Sequence, residues 1–181
     1  MSFPSLKTLA LIPARGGSKG LPNKNILPLD EHPLIAYSIA AGRSTPLIDR
    51  VVVTTDSQDI ASISKQYGAD VPFIRPAELA GDYTTDLETF QHALQWLEEN
   101  EGYVPDLILQ LRPTSPLRFV HEIESCIQLL HNHPDASGYG IANERNNQIR
   151  KSGYHGHAEC HDNRRFYLGC HSQGRTNTQD L

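Results

Sequence analysis

Over residues 1–142 the apolar positions fall into two alternating patterns: short unbroken runs, and longer stretches that repeat every three or four residues. Leu9-Ala10-Leu11-Ile12 is an unbroken run stopped by Pro13, which predicts a buried strand over 6–12. Pro33 stands where a first helical residue tolerates proline, and Leu34 to Gly42 continues as a helix. Val51–Thr54 predicts a second strand. Ile60, Ile63 and Tyr67 recur at helical spacing, and Gly68 follows where a helix C-terminus favours glycine. A short strand is expected over Val71–Ile74. Thr85 and Glu88 have the spacing of a capping box ahead of Leu87, Phe90, Leu94 and Leu97. Leu107–Leu111 interrupts its apolar run only at Gln110, as a strand covered on both faces would. Ile123, Ile127 and Leu130 mark a last helix.

Strands alternating with helices of this length predict the α/β class, a Rossmann-like, mostly parallel sheet with helices on both faces. Such sheets bind ligands beyond the carboxyl ends of their strands. The loop after Ile12, Asp56 after the second strand and Arg112-Pro113-Thr114 after the long central strand therefore belong on one edge.

Beyond residue 142 the pattern stops. From 143 to 181 the only Leu, Ile, Val, Met or Phe residues are Ile149, Phe166, Leu168 and Leu181. Such a composition buries too little surface to offset ordering entropy. The expected organisation is a core over 1–142 and an atypical, poorly ordered tail over 143–181.

At 181 residues, with 38% hydrophobic and 20% charged content, the chain has room for one domain with a real core. No run of about 18 apolar residues is present, so no membrane partner is expected. Met1 to Lys7 leads into the first strand without a signal-peptide pattern. Three cysteines, Cys126, Cys160 and Cys170, form no dense framework, which points to a reducing compartment and a cytoplasmic location. The net charge of −5 argues against nucleic acid as a partner. Residues 1–142 carry 10 Lys and Arg against 17 Asp and Glu, so three cations between positions 15 and 24 stand out.

Those cations, Arg15, Lys19 and Lys24, share a loop with Gly16, Gly17, Ser18 and Gly20. Glycine lets consecutive N–H groups point into one concavity, and cations around it suit a polyphosphate. Lys19 precedes Gly20 with no Ser or Thr after it, so the segment is not a Walker A loop, and G-x-G-x-x-G is absent too. On these letters alone, a flexible surface turn with solvated cations stays open.

Four ordered blocks carry a resemblance. Ala14-Arg15-Gly16-Gly17-Ser18-Lys19-Gly20-Leu21-Pro22-Asn23-Lys24-Asn25 resembles the opening signature of the CMP-sugar synthetases, the acylneuraminate cytidylyltransferase family. Val51-Val52-Val53-Thr54-Thr55-Asp56 is similar to the family's second strand and its Thr-Asp end. Arg75-Pro76-Ala77-Glu78-Leu79-Ala80 and Arg112-Pro113-Thr114-Ser115-Pro116-Leu117-Arg118 are similar to its R-P-x-x-L-A and P-T-S-P-L-R blocks. The resemblance implies a nucleotidyltransferase fold, CTP and a 2-keto sugar acid (sialic acid or a related nonulosonate) as substrates, Mg2+ as cofactor, and a homodimer.

Residue by residue, the resemblance implies catalytic roles for Arg15 and Lys24 on the triphosphate. It gives nucleotide contacts to Gly16, Gly17, Ser18, Lys19 and Asn25, the cytosine to Arg75, and base and ribose to Thr84 and Asp86. Arg112, Thr114 and Ser115 would face the sugar. Simpler readings stand beside several of these: a surface arginine for Arg75, helix capping for Thr84 and Asp86, and pairing with a local carboxylate for Arg112. Asp56 could orient a catalytic group, but a Thr-Asp-Ser run before a helix reads more readily as a cap. Arg112 is also a departure, because sialic-acid-activating members carry glutamine there.

The family's I-D-x-D-like block, which holds magnesium, has no match here; Asp162 and Asp180 are isolated. No protein ligand for a metal is therefore assigned. His155-x-His157, Cys160-His161 and Cys170-His171 also lack the spacing of a zinc site. The runner-up reading is a truncated, inactive remnant that at most binds cytidine nucleotides, and a weaker one is a CMP-Kdo synthetase relative. Limited proteolysis is expected to trim the chain after about Asn143 and leave the first ~140 residues, one domain's worth, intact. Equal hydrogen-exchange protection of tail and core would contradict this.

Overall fold

The computed structural model describes residues 6–17 and 20–132 in full, and the backbone of 139–142, 148–151 and 165–167. Ser18, Lys19 and the tail histidines and cysteines lie outside the described residues, as does most of the segment on which the tail expectation falls.

Strand β1 (Thr8–Pro13) leads through a loop and a 3-10 turn (Lys24–Ile26) into a small hairpin, β2 (Pro28–Leu29) and β3 (His32–Pro33). Helix α1 (Leu34–Arg43), strand β4 (Arg50–Thr54) and helix α2 (Gln58–Gln66) follow. A second 3-10 turn (Ala77–Ala80) precedes α3 (Asp86–Glu101), β5 (Leu107–Gln110) and α4 (Val120–Asn132). Three more strands are described, β6 (Tyr139–Ala142), β7 (Gln148–Lys151) and β8 (Arg165–Tyr167). The main sheet has the order β4-β1-β5-β8 and is parallel throughout, while β6 and β7 form an antiparallel pair.

The register puts Ala10 opposite Val51 and Leu109, so β1 is paired on both edges. It is covered on both faces as well. Leu9, Leu11, Val52 and Ile108 pack with Phe90, Ala93, Leu94 and Leu97 of α3. Ala10, Ile12, Val51, Val53, Leu107 and Leu109 pack with Ile35 and Ile39 of α1, Ile60 of α2, and Ile123, Ile127 and Leu130 of α4. Alternate residues of each strand thus go to opposite cores, which explains the unbroken apolar runs. The predicted α/β class, parallel sheet and helices on both faces are borne out.

Two predicted boundaries shift for a physical reason. The strand expected over 71–74 reduces to one parallel bridge between Val52 and Asp70, since Pro72 has no N–H with which to extend a ladder. Pro33 precedes the helix rather than opening it, because it pairs with Pro28 in the hairpin. Gly68 ends α2 as expected: its φ of 86° lets its N–H reach the Lys65 carbonyl while that of Ala69 reaches Ser64. Among the described residues, no helix is long and apolar enough to cross a membrane.

The capping box of α3 is complete. The Thr85 hydroxyl accepts from the Glu88 N–H at 3.2 Å, and the Glu88 carboxylate accepts from the Thr85 N–H at 2.7 Å. Thr85→Ala is expected to cost about 1 kcal/mol of stability, the usual worth of such a cap, read as a lower urea midpoint at unchanged slope.

Candidate functional site

A cleft of about 340 Å3 opens at the carboxyl edge of the parallel sheet. Pro13 and Arg15 line it from the end of β1, Lys24 and Asn25 from the first 3-10 turn, and Arg112, Pro113 and Thr114 from the end of β5. Arg75, the stretch Leu79–Asp82 and Thr84 close one side, with Asp86 and Thr89 of α3. Of the predicted residues, Arg15, Lys24, Asn25, Arg75, Thr84, Asp86, Arg112 and Thr114 thus meet in one place. Gly16, Gly17 and Ser115 do not line it, and Ser115 is buried with its N–H on the Arg112 carbonyl.

The glycine loop is held from beneath. The Gly16 N–H donates to the Asp56 carboxylate at 2.9 Å, and a β-carbon on Gly16 would come within 3.1 Å of the Ser57 β-carbon. Backbone must come this close to the β4–α2 turn, which accounts for glycine there. On the other side the Asn25 side-chain amide donates to the Arg15 carbonyl at 3.0 Å. Asp56 is not the helix cap: Ser57 caps α2, its hydroxyl accepting from the Ile60 N–H.

Arg75 is not a surface arginine; only 4% of it is exposed. Its backbone N–H donates to the Thr55 carbonyl at 2.8 Å, its Nη1 to the Thr89 hydroxyl at 3.3 Å, and its Nη2 lies 3.8 Å from Asp56. Burial pushes the guanidinium below the usual arginine value, Asp56 raises it, and nearby Arg15 lowers it. A buried cation with one distant counter-ion is a strong local source of positive potential.

The two more open arginines are tied to carboxylates. Arg15 donates to the Gly81 carbonyl at 3.0 Å and pairs with Asp82 at 3.1 Å. Arg112 pairs with Asp86, the local carboxylate that the simpler reading required. Its backbone carbonyl accepts from Ser38 of α1 at 3.2 Å and from Arg118 at 2.6 Å, and Arg118 also donates to the Ser38 hydroxyl. Capping at α3 belongs to Thr85 and Glu88, so Asp86 does not serve it; the Thr84 hydroxyl donates to the Glu78 carbonyl.

Sequence reasoning missed Asp82, Thr89 and the bracing role of Arg118. Asp82 lies two residues past the R-P-x-x-L-A block, and Arg118 is the last letter of the P-T-S-P-L-R block, which were the available signals. Thr89 gave none, since its role depends on the turn that buries Arg75.

A parallel α/β sheet with a cationic cleft at its carboxyl edge is the arrangement in which α/β proteins commonly take anionic ligands. The cytidylyltransferase family profile matches residues 9–156, and the chain belongs to that family. It is 42% identical over 123 residues to N-acylneuraminate cytidylyltransferase of Escherichia coli O18:K1:H7, covering 68% of this chain and 28% of that protein. It is 39% identical over 124 residues to CMP-N,N'-diacetyllegionaminic acid synthase of Legionella pneumophila, covering 68% and 53%. A CMP:2-keto-3-deoxy-manno-octonic acid synthetase solved with CTP shares the fold, with a TM-score of 0.60 at 20% identity over 75% of this chain and 54% of that one. The chain thus spans from about a quarter to a half of the length of these proteins. The resemblance to CMP-sugar synthetases carried by the four blocks is borne out by these relatives.

His92 of α3 stacks edge-on against Phe73, and its buried Nδ1 has no hydrogen-bond partner. Burial, then the Arg75 charge, hold its pKa below the ordinary histidine value of 6.5, with Glu78 opposing. Above that value the folded and unfolded chains both keep His92 neutral. As pH falls through it, the unfolded chain takes up the proton first, so stability is lost on the acid side. Between about pH 7.5 and 5.5, urea titrations should show wild type losing more stability than His92→Gln. Equal losses would remove His92 as a cause.

Proposed function

We propose that this chain carries the CTP site of an enzyme that activates a 2-keto sugar acid as its CMP derivative, releasing pyrophosphate. The observation that supports it most is the convergence of Arg15, Lys24 and Arg75 on one cleft at the carboxyl edge of the sheet. In the reaction, the anomeric hydroxyl of the acid attacks the α-phosphorus of CTP. The new oxygen–phosphorus bond forms as the bond to the bridging oxygen breaks, pyrophosphate leaves with that electron pair, and the hydroxyl passes its proton to solvent water. Negative charge grows on the leaving phosphates, so fixed cations beside them lower the barrier. Arg15 is suited to a two-pronged grip on phosphate and Lys24 to a point contact, so neither replaces the other.

Asn25 holds the loop in register, Arg75 and Thr84 serve the base end of the cleft, and Thr89 holds Arg75 there. Arg112 and Thr114 belong to the acceptor side, with Ser115 buried behind them, and an arginine in place of the family's glutamine leaves the acid open between sialic acid and a related nonulosonate. Magnesium is the divalent ion that the family implies. The described residues do not form a site for it: no group of three or more His, Cys, Asp or Glu comes together among them, and Asp82 and Asp86 are each paired with arginine. No step is therefore assigned to it. A cytoplasmic location and a homodimer belong to the same proposal, as does the division into a core over 1–142 and a separate tail.

Titration calorimetry with the four nucleoside triphosphates is expected to show cytidine preference. Arg15→Ala should weaken CTP about ten- to a hundredfold, the worth of one charge-assisted contact. Equal affinity for all four nucleotides, or an unaffected Arg15→Ala variant, would defeat the proposal.

A further inference from the structure

Two of the cleft's ion pairs, those of its more exposed arginines, take their carboxylate from one short segment. Arg15, beyond β1, pairs with Asp82, and Arg112, beyond β5, pairs with Asp86. The arginines come from distant parts of the chain, yet their partners stand four residues apart. The segment joins the second 3-10 turn to α3 and runs along the side of the cleft. The four side chains are 33 to 37% exposed, so water screens each pair and neither holds strongly. Asp86 is spare from helix capping, which Thr85 and Glu88 complete between them.

We propose that residues 82–86 form an electrostatic strap, in which Asp82 and Asp86 hold Arg15 and Arg112 until a polyanion takes their place. The two carboxylates are internal competitors for the ligand. Each pair given up costs little, while a polyphosphate offers each guanidinium a more highly charged partner. The strap also sets a threshold: a singly charged anion gains little by displacing one carboxylate, whereas a ligand with several charges can displace both. This rests on the cleft being a polyanion site, and it gives Asp86 a role opposite to a ribose or base contact. As a competitor its removal tightens binding; as a contact its removal weakens it.

The test is calorimetric titration of the full chain with sodium tripolyphosphate and, separately, with CTP. Wild type, Asp82→Asn, Asp86→Asn and Glu78→Gln are compared, with thermal melts to establish folding. Glu78 is an exposed carboxylate of the neighbouring turn and serves as the control for general charge. Asp82→Asn and Asp86→Asn should each bind tripolyphosphate about two- to fivefold more tightly, the span of a screened pair, and Glu78→Gln should not. Unchanged or weaker binding by both variants overturns the strap, as does an equal gain in Glu78→Gln or no binding by any of the four. If the asparagine variants do not fold, Asp82→Ser and Asp86→Ser replace them, and a failure of those to fold assigns the pairs to stability and overturns the strap. Tighter tripolyphosphate binding without any preference for CTP among nucleotides would uphold the strap and reject the cytidylyltransferase site.

Discussion

The site depends on the confinement of β1. Paired with β4 on one edge and β5 on the other, and covered by apolar cores on both faces, the strand has no direction in which to slide. A shift of one residue would send Leu9 and Leu11 to the face of α1 and Ala10 and Ile12 to that of α3, mismatching both cores. Buried aliphatic groups contribute about 1.5–3 kcal/mol each, so the register is held by many such terms at once. The loop that follows Pro13 therefore starts from a fixed point, and the cations it carries inherit that position.

From this point outward, polar contacts replace packing. Asp56 stands two residues beyond β4 and reaches both the Gly16 amide and Arg75, so one carboxylate links the glycine loop to the buried cation. Asn25 fastens the Arg15 carbonyl from the other side. Ser38 and Arg118 do the same for the Arg112 carbonyl, tying the end of β5 to α1. In each case a backbone group is fixed by a side chain from elsewhere in the chain, leaving the guanidinium groups of Arg15 and Arg112 to line the cleft. Rigid backbone with exchangeable side-chain pairs suits a site that must accept a highly charged ligand without rebuilding itself.

Much of this was legible in the sequence because it rests on local rules. Unbroken apolar runs, Gly68 behind a helix, and the Thr85–Glu88 pair each report a structure made by near neighbours. The carboxyl-edge rule for parallel sheets then placed three distant motifs together without any knowledge of contacts. What stayed hidden depends on partners far apart in the chain. Nothing near Arg75 tells that it is buried, because the burial comes from the turn leading into α3 and from Thr89 fourteen residues on. Asp56 read more readily as a cap, and only the position of Gly16 across the sheet edge decides otherwise. The strand expected at 71–74 failed to a single atom's absence, the missing proline hydrogen at position 72.

Charge balance in the cleft explains why so many cations can coexist in an otherwise acidic core. Arg15, Lys24, Arg75 and Arg112 line one cavity, and unrelieved repulsion among them would oppose folding. Burial and Arg15 both depress Arg75, which is the visible sign of that cost. Asp56 offsets it from below, while Asp82 and Asp86 offset Arg15 and Arg112 at the side. The two sets of carboxylates differ in kind. Asp56 is committed to the backbone of the loop and cannot leave without releasing Gly16, so it is part of the scaffold. Asp82 and Asp86 meet Arg15 and Arg112 through side chains, in pairs open to water, so a polyphosphate can take over these arginines without displacing their backbone. The same acidic residues that let the empty cleft fold thus leave it ready to exchange one set of anions for another.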